Sequence, residues 1–159
     1  MPILPFRARA WWAAAIGLAF AGLAEAQDPA ARWARQLHDP IPEARAEAAR
    51  ALGEIGAAPY VPDLAARLED TSALVRGSAA LALGLLHAAD HVEAVARLLA
   101  DPGPEAREQA ATALGLLGAR DRAAGIAPLL RDPEDRVRVA AAWSLSRLEA
   151  NAYVKEIVP

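Results

Sequence analysis

The chain has 159 residues and a mass of 16.7 kDa, enough for one domain or one short array of repeats. It contains no cysteine, which excludes disulfide scaffolds, thiolate metal sites and cysteine nucleophiles. A net charge of −3 with a pI near 5.6 argues against sequence-independent binding of nucleic acid, because that activity needs a basic protein surface. With 55% hydrophobic residues, the chain is also too apolar to be disordered.

Residues 1–26 have the three parts of a secretory signal peptide. Arg7 and Arg9 make the start positive, an uncharged apolar run follows, and Ala-Glu-Ala at 24–26 suits cleavage before Gln27. The alternative is an uncleaved membrane anchor, but a span needs about 20 apolar residues and this run is shorter. We therefore expect export to the periplasm or the medium. Cleavage would remove two arginines and one glutamate, which changes the net charge from −3 to −4.

A period of 31 residues organises the rest of the chain. Aspartate, arginine, alanine and leucine each recur in four copies at this spacing and in one register. The aspartate column is Asp39, Asp70, Asp101 and Asp132, and the arginine column is Arg45, Arg76, Arg107 and Arg138. Such a period is typical of a solenoid, in which each repeat buries its apolar side against its neighbours.

Each repeat is predicted to contain a short helix A followed by a helix B. The first helix B should run from about Pro42 to Ile55, with Glu43 in its first turn, where an acid favours the helix dipole. The first helix A should begin at Pro29 with Asp28 as its N-cap, and Pro128 should kink or shorten the last one. The helices A are predicted at about 29–37, 61–68, 92–99 and 122–130. The domain at 27–159 then divides into repeats at about 29–56, 60–87, 91–118 and 122–150, with a C-terminal cap segment at 151–159.

These repeats resemble HEAT repeats, specifically the short HEAT-like repeats related to bilin lyases. The copies begin Asp-Pro-Ile-Pro-Glu-Ala-Arg at 39, Asp-Thr-Ser-Ala-Leu-Val-Arg at 70, Asp-Pro-Gly-Pro-Glu-Ala-Arg at 101 and Asp-Pro-Glu-Asp-Arg-Val-Arg at 132. The resemblance covers essentially all of the chain after residue 26. It implies an all-α, right-handed α-solenoid of about four two-helix repeats, with the aspartate and arginine columns forming a structural ladder between repeats. It implies almost nothing about activity.

A helical wheel of helix B separates a repeating face from a face that hardly repeats. At 100° per residue from Glu43, the columns that begin at 45, 48, 49, 52 and 55 fall between about 120° and 240°. This stripe is the predicted core face. In related solenoids the helices B line the ligand-facing surface, so we predict that the opposite side, the B face, binds a partner. The B face consists of Glu43, Glu47, Arg50, Glu54, Leu74, Ser78, Leu81, Leu85, Glu105, Gln109, Thr112, Leu116, Arg136, Ala140, Trp143 and Arg147.

Small residues lie on both shoulders of the core face. The column at 51 reads Ala, Ala, Ala, Ser, and the column at 53 reads Gly, Gly, Gly, Ser. A glycine inside a helix costs about 1 kcal/mol relative to alanine, so its recurrence indicates a benefit in packing. We therefore expect neighbouring helices B to approach closely.

Few residues are candidates for chemistry. His87 and His91 are four apart, a spacing that can bind a metal on one helix face, and Asp90 could add a third ligand. The three residues fall at a predicted turn, however, so the alternative is that they are histidines of a surface loop. No catalytic residue, cofactor or certain metal ligand is predicted.

Trp143 has two interpretations that the sequence leaves open. It occupies a column that holds Arg50, Leu81 and Thr112 in the other copies. Beside arginines, an exposed tryptophan is typical of an interface anchor. Alternatively, residues 153–157 align with the start of a helix A and could cap it.

The predicted function is that of an exported, non-enzymatic scaffold or adaptor that binds another protein or peptide on the B face. The sequence predicts no nucleic-acid partner, and it predicts membrane contact only through an uncleaved signal. The competing hypothesis is a metal-dependent enzyme or the accessory subunit of an enzyme, in the manner of the bilin lyases. Self-association is a third possibility, because a truncated last repeat leaves an apolar end.

Overall fold

The computed structural model describes residues 29–150, and every regular element in that range is helical. The α-helices are α1 (Pro29–Gln36), α2 (Pro42–Glu54), α3 (Val61–Ala66), α4 (Ala73–Leu85), α5 (Val92–Arg97), α6 (Pro104–Leu117), α7 (Ala123–Ile126) and α8 (Asp135–Arg147). The even-numbered helices are the predicted helices B, and the odd-numbered ones are helices A. The all-α architecture of two-helix repeats is therefore confirmed. The predicted signal peptide, Asp28 and the cap segment lie outside the described residues.

The helices A are shorter than predicted because each of the last three ends in a 3-10 turn. After α3 and α5 these turns are Arg67–Glu69 and Leu98–Ala100. The helix α7 has only four residues and gives way to a 3-10 segment at Ala127–Arg131. This confirms the effect expected of Pro128, whose ring and missing amide do not fit inside an α-helix. Among residues 29–150, no helix is long and apolar enough to cross a membrane.

Each helix B ends in a residue with a positive φ angle. These residues are Gly56 at 72°, His87 at 52°, Gly118 at 68° and Glu149 at 59°. At the end of α2, the amide of Gly56 donates to the carbonyl of Gly53, and the amide of Ala57 donates to the carbonyl of Leu52. This left-handed turn satisfies carbonyl groups that the last turn of the helix leaves free. It also redirects the chain into the next helix A.

The recurring columns form the core. The leucines at 52, 83, 114 and 145 and the alanines at 48, 79, 110 and 141 are all fully buried. The prediction is wrong for Ile55, which is 49% exposed, whereas its counterpart Leu148 is buried. In later repeats, the side of helix B that carries this column faces the preceding helix B. Ile55 is exposed because α2 has no preceding helix B among the described residues.

Neighbouring helices B stack closely, as the small columns predicted. A Cβ atom added to Gly53 would lie 2.7 Å from the Cα atom of Ala82, and one added to Gly84 would lie 2.9 Å from that of Ala113. Real side chains do not tolerate such distances, so these positions need glycine. At the last contact, the Ser144 hydroxyl donates a hydrogen bond of 2.6 Å to the carbonyl of Ala111. The close stacking sets the spacing of every side chain on the B face.

Candidate binding face and charge ladder

Bidentate ion pairs join each repeat to the next. The guanidinium of Arg45 donates to the carboxylate of Asp70 at 2.9 and 2.7 Å. Arg76 binds Asp101 at 2.7 and 2.6 Å, and Arg107 binds Asp132 at 2.8 and 2.9 Å. The fork of an arginine matches the two oxygens of a carboxylate, so each pair fixes both distance and orientation.

Backbone groups hold both members of each pair in place. The inner aspartates precede a helix B, and one carboxylate oxygen of each accepts the amide two residues further on. For Asp70 this amide belongs to Ser72, at 3.0 Å. The remaining nitrogen of Arg76 donates to the backbone carbonyl of Asp70 at 2.7 Å, and Arg107 does the same to Asp101 at 2.9 Å. Each inner aspartate therefore binds arginines from two consecutive repeats.

The inner aspartates are held in their charged form. Burial by itself raises the pKa of Asp70 and Asp101, but the hydrogen bonds from arginine and backbone amide outweigh it, so both pKa values are lowered. For Asp132 the hydrogen bond from Arg107 is the largest influence, and it also lowers the pKa. The same bonds raise the pKa of the arginines. These carboxylates are almost fully buried and use their oxygens on protein donors, which is the arrangement of a structural element.

The outer members of the ladder columns have no such partner within residues 29–150. Asp39 accepts the amide of Ile41 at 2.8 Å, as the inner aspartates do with their own amides. Arg138 keeps its bond to the carbonyl of Asp132 at 2.7 Å. Its outer nitrogen pairs with Asp135, in the first turn of its own helix.

The structure places almost all of the B face at the surface. The α2 members are exposed, as are Arg136 and Arg147 in α8. Leu74 is 41% exposed and Trp143 is 44% exposed. Leu85 is exposed too, and the remaining members on α4 and α6 are partly exposed: Ser78, Leu81, Glu105, Gln109, Thr112 and Leu116. Ala140 is the exception, because it is buried against the neighbouring helix. That this face binds a partner stays a prediction.

A groove on this face lies between α6 and α8 and has a volume of about 510 Å³. Thr112, Val139, Ala140 and Trp143 line it, with Arg136 at one side. The guanidinium carbon of Arg147 lies 5.5 Å from the centre of the Trp143 ring, a cation–π distance. One nitrogen of Arg147 also donates to the carbonyl of Gly115 at 3.0 Å. The tryptophan is therefore oriented by its neighbours while a large part of it stays in water.

A second groove, of about 250 Å³, lies between α2 and α4. It is lined by Glu43, Glu47, Arg50, Leu74 and Ser78, all members of the B face, together with Ala46. Arg50 forms an exposed ion pair of 3.7 Å with Glu54. Two glutamates and one arginine thus line this groove, whereas the groove at α8 is lined by the Trp143 ring together with Glu108, Asp135 and Arg136.

Two residues of the larger groove do not belong to the predicted B face. Val139 is 68% exposed, and Glu108 forms an ion pair with Arg136 across the groove. Both belong to a column that reads Ala46, Gly77, Glu108, Val139 and does not repeat. On the wheel this column lies about 60° from Glu43. Its variability was the signal that it belongs beside the B face.

The histidine candidates are not arranged as the metal hypothesis requires. His87 is the left-handed residue after α4, and His91 ends the 3-10 turn Ala89–His91, so the two do not share one helix face. His87 and Asp90 are exposed and His91 is partly buried. Across residues 29–150, no group of three or more His, Asp or Glu side chains is close enough to hold a metal ion. The turn therefore separates the two histidines, and the helical spacing of four residues does not apply to them.

Comparisons with known proteins agree with this fold. The family described as HEAT repeats matches residues 7–84 and 61–146. An engineered protein of known crystal structure is similar with a TM-score of 0.60 and 22% identity, over 83% of this chain and 68% of that one. The complex of CpcE and CpcF of phycocyanin lyase from Nostoc sp. PCC7120 is similar with a TM-score of 0.54 and 23% identity, over 82% of this chain and 69% of that one. At such identities the likeness concerns the fold alone. No curated protein sequence matches the chain.

Proposed function

We propose that this chain, which belongs to the HEAT-repeat family, is an exported, non-enzymatic scaffold that binds another protein or peptide on its B face. One observation carries the proposal. The columns that repeat are buried, whereas the face that does not repeat exposes Leu74 and Trp143. Large apolar side chains in water favour a surface that a partner covers, and tryptophan beside arginine is typical of the residues that contribute most to binding.

The charged groups of the ladder support a role without catalysis. Their carboxylates are buried and saturated with hydrogen bonds from arginines and amides. A general acid or base must instead be within reach of a substrate. On the B face, the carboxylates of Glu105 and Glu108 are engaged by Arg136. This surface is suited to recognition by shape and charge.

Export is part of the proposal and rests on the order of charge, apolar run and small residues in the first 26 positions. The partner would then be a protein of the periplasm or the medium.

Crosslinking and affinity capture from the exported fraction test the proposal. Leu74→Glu places a charge at an exposed position of the B face, in the groove between α2 and α4. Ile55→Glu is the matched control, because Ile55 is 49% exposed but lies outside that face. We expect Leu74→Glu to lose the crosslinked partners and Ile55→Glu to retain them, with unchanged circular dichroism for both. If both folded variants retain the same partners, the B face is not the binding surface.

A further inference from the structure

The B face carries unpaired charges of opposite sign at its two ends. Glu43 and Glu47 on α2 are exposed, and no basic group of residues 29–150 forms an ion pair with either. Arg147 on α8 is exposed, donates only to a backbone carbonyl, and has no carboxylate partner in the same range. The other charged residues of the face are paired with each other: Arg50 with Glu54, and Arg136 with Glu105.

Apolar side chains lie between these ends. Leu85 of α4 is exposed, and Leu81 of α4 and Leu116 of α6 are partly exposed. Trp143 and Val139 follow at the groove beside Arg147. Along the stack of helices B, the groups without an ion pair in residues 29–150 thus change from two carboxylates on α2 to one guanidinium on α8, with apolar side chains between them.

The spacing of the helices limits the shape of a partner that could match this sequence of properties. Packed helices lie about 8–10 Å apart, so the three steps from α2 to α8 cover about 24–30 Å. A polyproline II segment has three residues per turn and rises about 3.1 Å per residue, so it presents one side chain to the same side every 9 Å or so. Every third residue of such a segment would therefore meet the next groove between helices B.

We propose that the partner, whose existence rests on the proposed function, offers an extended segment with a basic residue at one end and a carboxylate at the other. The basic residue lies between Glu43 and Glu47 in the α2–α4 groove. The residue three positions further along the segment is apolar and lies over Leu81 and Leu116. The apolar residue three positions after that enters the α6–α8 groove against Trp143, and the carboxylate of the segment binds Arg147.

Two synthetic peptides of one composition test this assignment by fluorescence anisotropy. The matched probe is Lys-Pro-Ser-Leu-Pro-Ser-Leu-Pro-Glu, and the control is Ser-Pro-Lys-Leu-Pro-Glu-Leu-Pro-Ser, both with blocked termini. Only in the matched probe are Lys and Glu as far apart as the two charged ends of the B face. We expect the matched probe to bind the purified chain at least about tenfold more tightly than the control, with an advantage that decreases as salt is added.

Charge reversal supplies the second part of the test. Arg147→Glu should weaken binding of the matched probe about tenfold, and a probe that ends in Lys instead of Glu should restore it to this variant. Arg97→Glu is the control, because Arg97 is exposed on α5, away from the B face. Equal binding of the two peptides, or equal effects of the two reversals, would overturn the proposal. If Leu74→Glu still releases the natural partners in that case, the B face stands as the binding surface and only the charge-matched segment is wrong.

Discussion

Replacing Arg76 with alanine tests the ladder at a central rung. Arg76 donates two hydrogen bonds to the carboxylate of Asp101 and one to the backbone carbonyl of Asp70. The side chain of Arg76 is 15% exposed, and that of Asp101 is 6% exposed. After the substitution Asp101 would keep only its bond from the amide of Gly103. The Asp101 carboxylate would then be buried between two repeats without the guanidinium that binds it.

The structure sets the size of the expected effect. Removing one partner of a buried ion pair costs about 3–5 kcal/mol of the free energy of unfolding. Because the guanidinium retains some contact with water, we expect the lower end, about 3 kcal/mol. In a domain of this size 1 kcal/mol shifts the midpoint of thermal unfolding by about 4 °C, which predicts a decrease of about 12 °C. Arg50→Ala should cost less than about 0.5 kcal/mol, since the side chains of Arg50 and its partner Glu54 are 58% and 61% exposed.

Urea unfolding followed by circular dichroism at pH 7 measures these differences. The double variant Arg76→Ala, Asp101→Ala should be less destabilised than the sum of the two single variants, because it leaves no buried charge unpaired. Equal losses of stability for Arg76→Ala and Arg50→Ala would refute the reasoning. Additive single effects would show that the two side chains do not act as a pair.

Three further predictions concern stacking, acid and export. Gly84→Ala should lower the free energy of unfolding by about 1–3 kcal/mol, because its Cβ atom would lie 2.9 Å from the Cα atom of Ala113. Gly125→Ala is the control and should change the free energy of unfolding little in the same urea titration. The nearest neighbour of a Cβ atom at Gly125 is a flexible leucine methyl group at 3.4 Å. The pKa values of Asp70, Asp101 and Asp132 are lowered from 3.8 by the folded state. The unfolded chain therefore binds more protons than the folded chain below that pH. The contribution of the ladder to the free energy of unfolding is complete above that pH and is lost as the pH falls further. Acid unfolding of the wild type and of Asp101→Asn measures this loss. N-terminal sequencing of the exported protein should begin at Gln27, and an intact Met1 would contradict cleavage.

The sequence predicted the interior of the array better than its two ends, for a physical reason. A column such as the one at Leu52 meets the same surroundings in every repeat, so recurrence alone identifies it as buried. Ile55 and Val139 occupy the outer sides of α2 and α8, where one neighbouring helix B is missing among residues 29–150. A residue on such an outer side is exposed even where the same column is buried in other repeats. Recurrence in the sequence therefore identifies the core but not the exposure of residues in the end repeats.

His87 and His91 lie at a turn, as their position in the repeat predicted. A spacing of four residues brings two side chains together only while the chain stays helical. His87 has a φ angle of 52°, and its counterparts Gly56 and Gly118 show that this position is the left-handed end of helix B. The column of glycines was visible in the sequence and marked the break. The register of a residue within the repeat is thus a better guide to its geometry than its distance from another candidate.

The close stacking of the helices B also decides whether a second copy of the chain can extend the array. A second copy could extend the array only if α8 accepted another helix B at the spacing that α2, α4 and α6 accept. At that spacing the contact column needs glycine, since a Cβ atom at Gly53 or Gly84 would lie within 2.9 Å of the next helix, and α8 has Ser146 there instead. Ser146 therefore opposes the addition of a second copy to α8 at the spacing of the earlier helices B, which argues against self-association by extension of the stack.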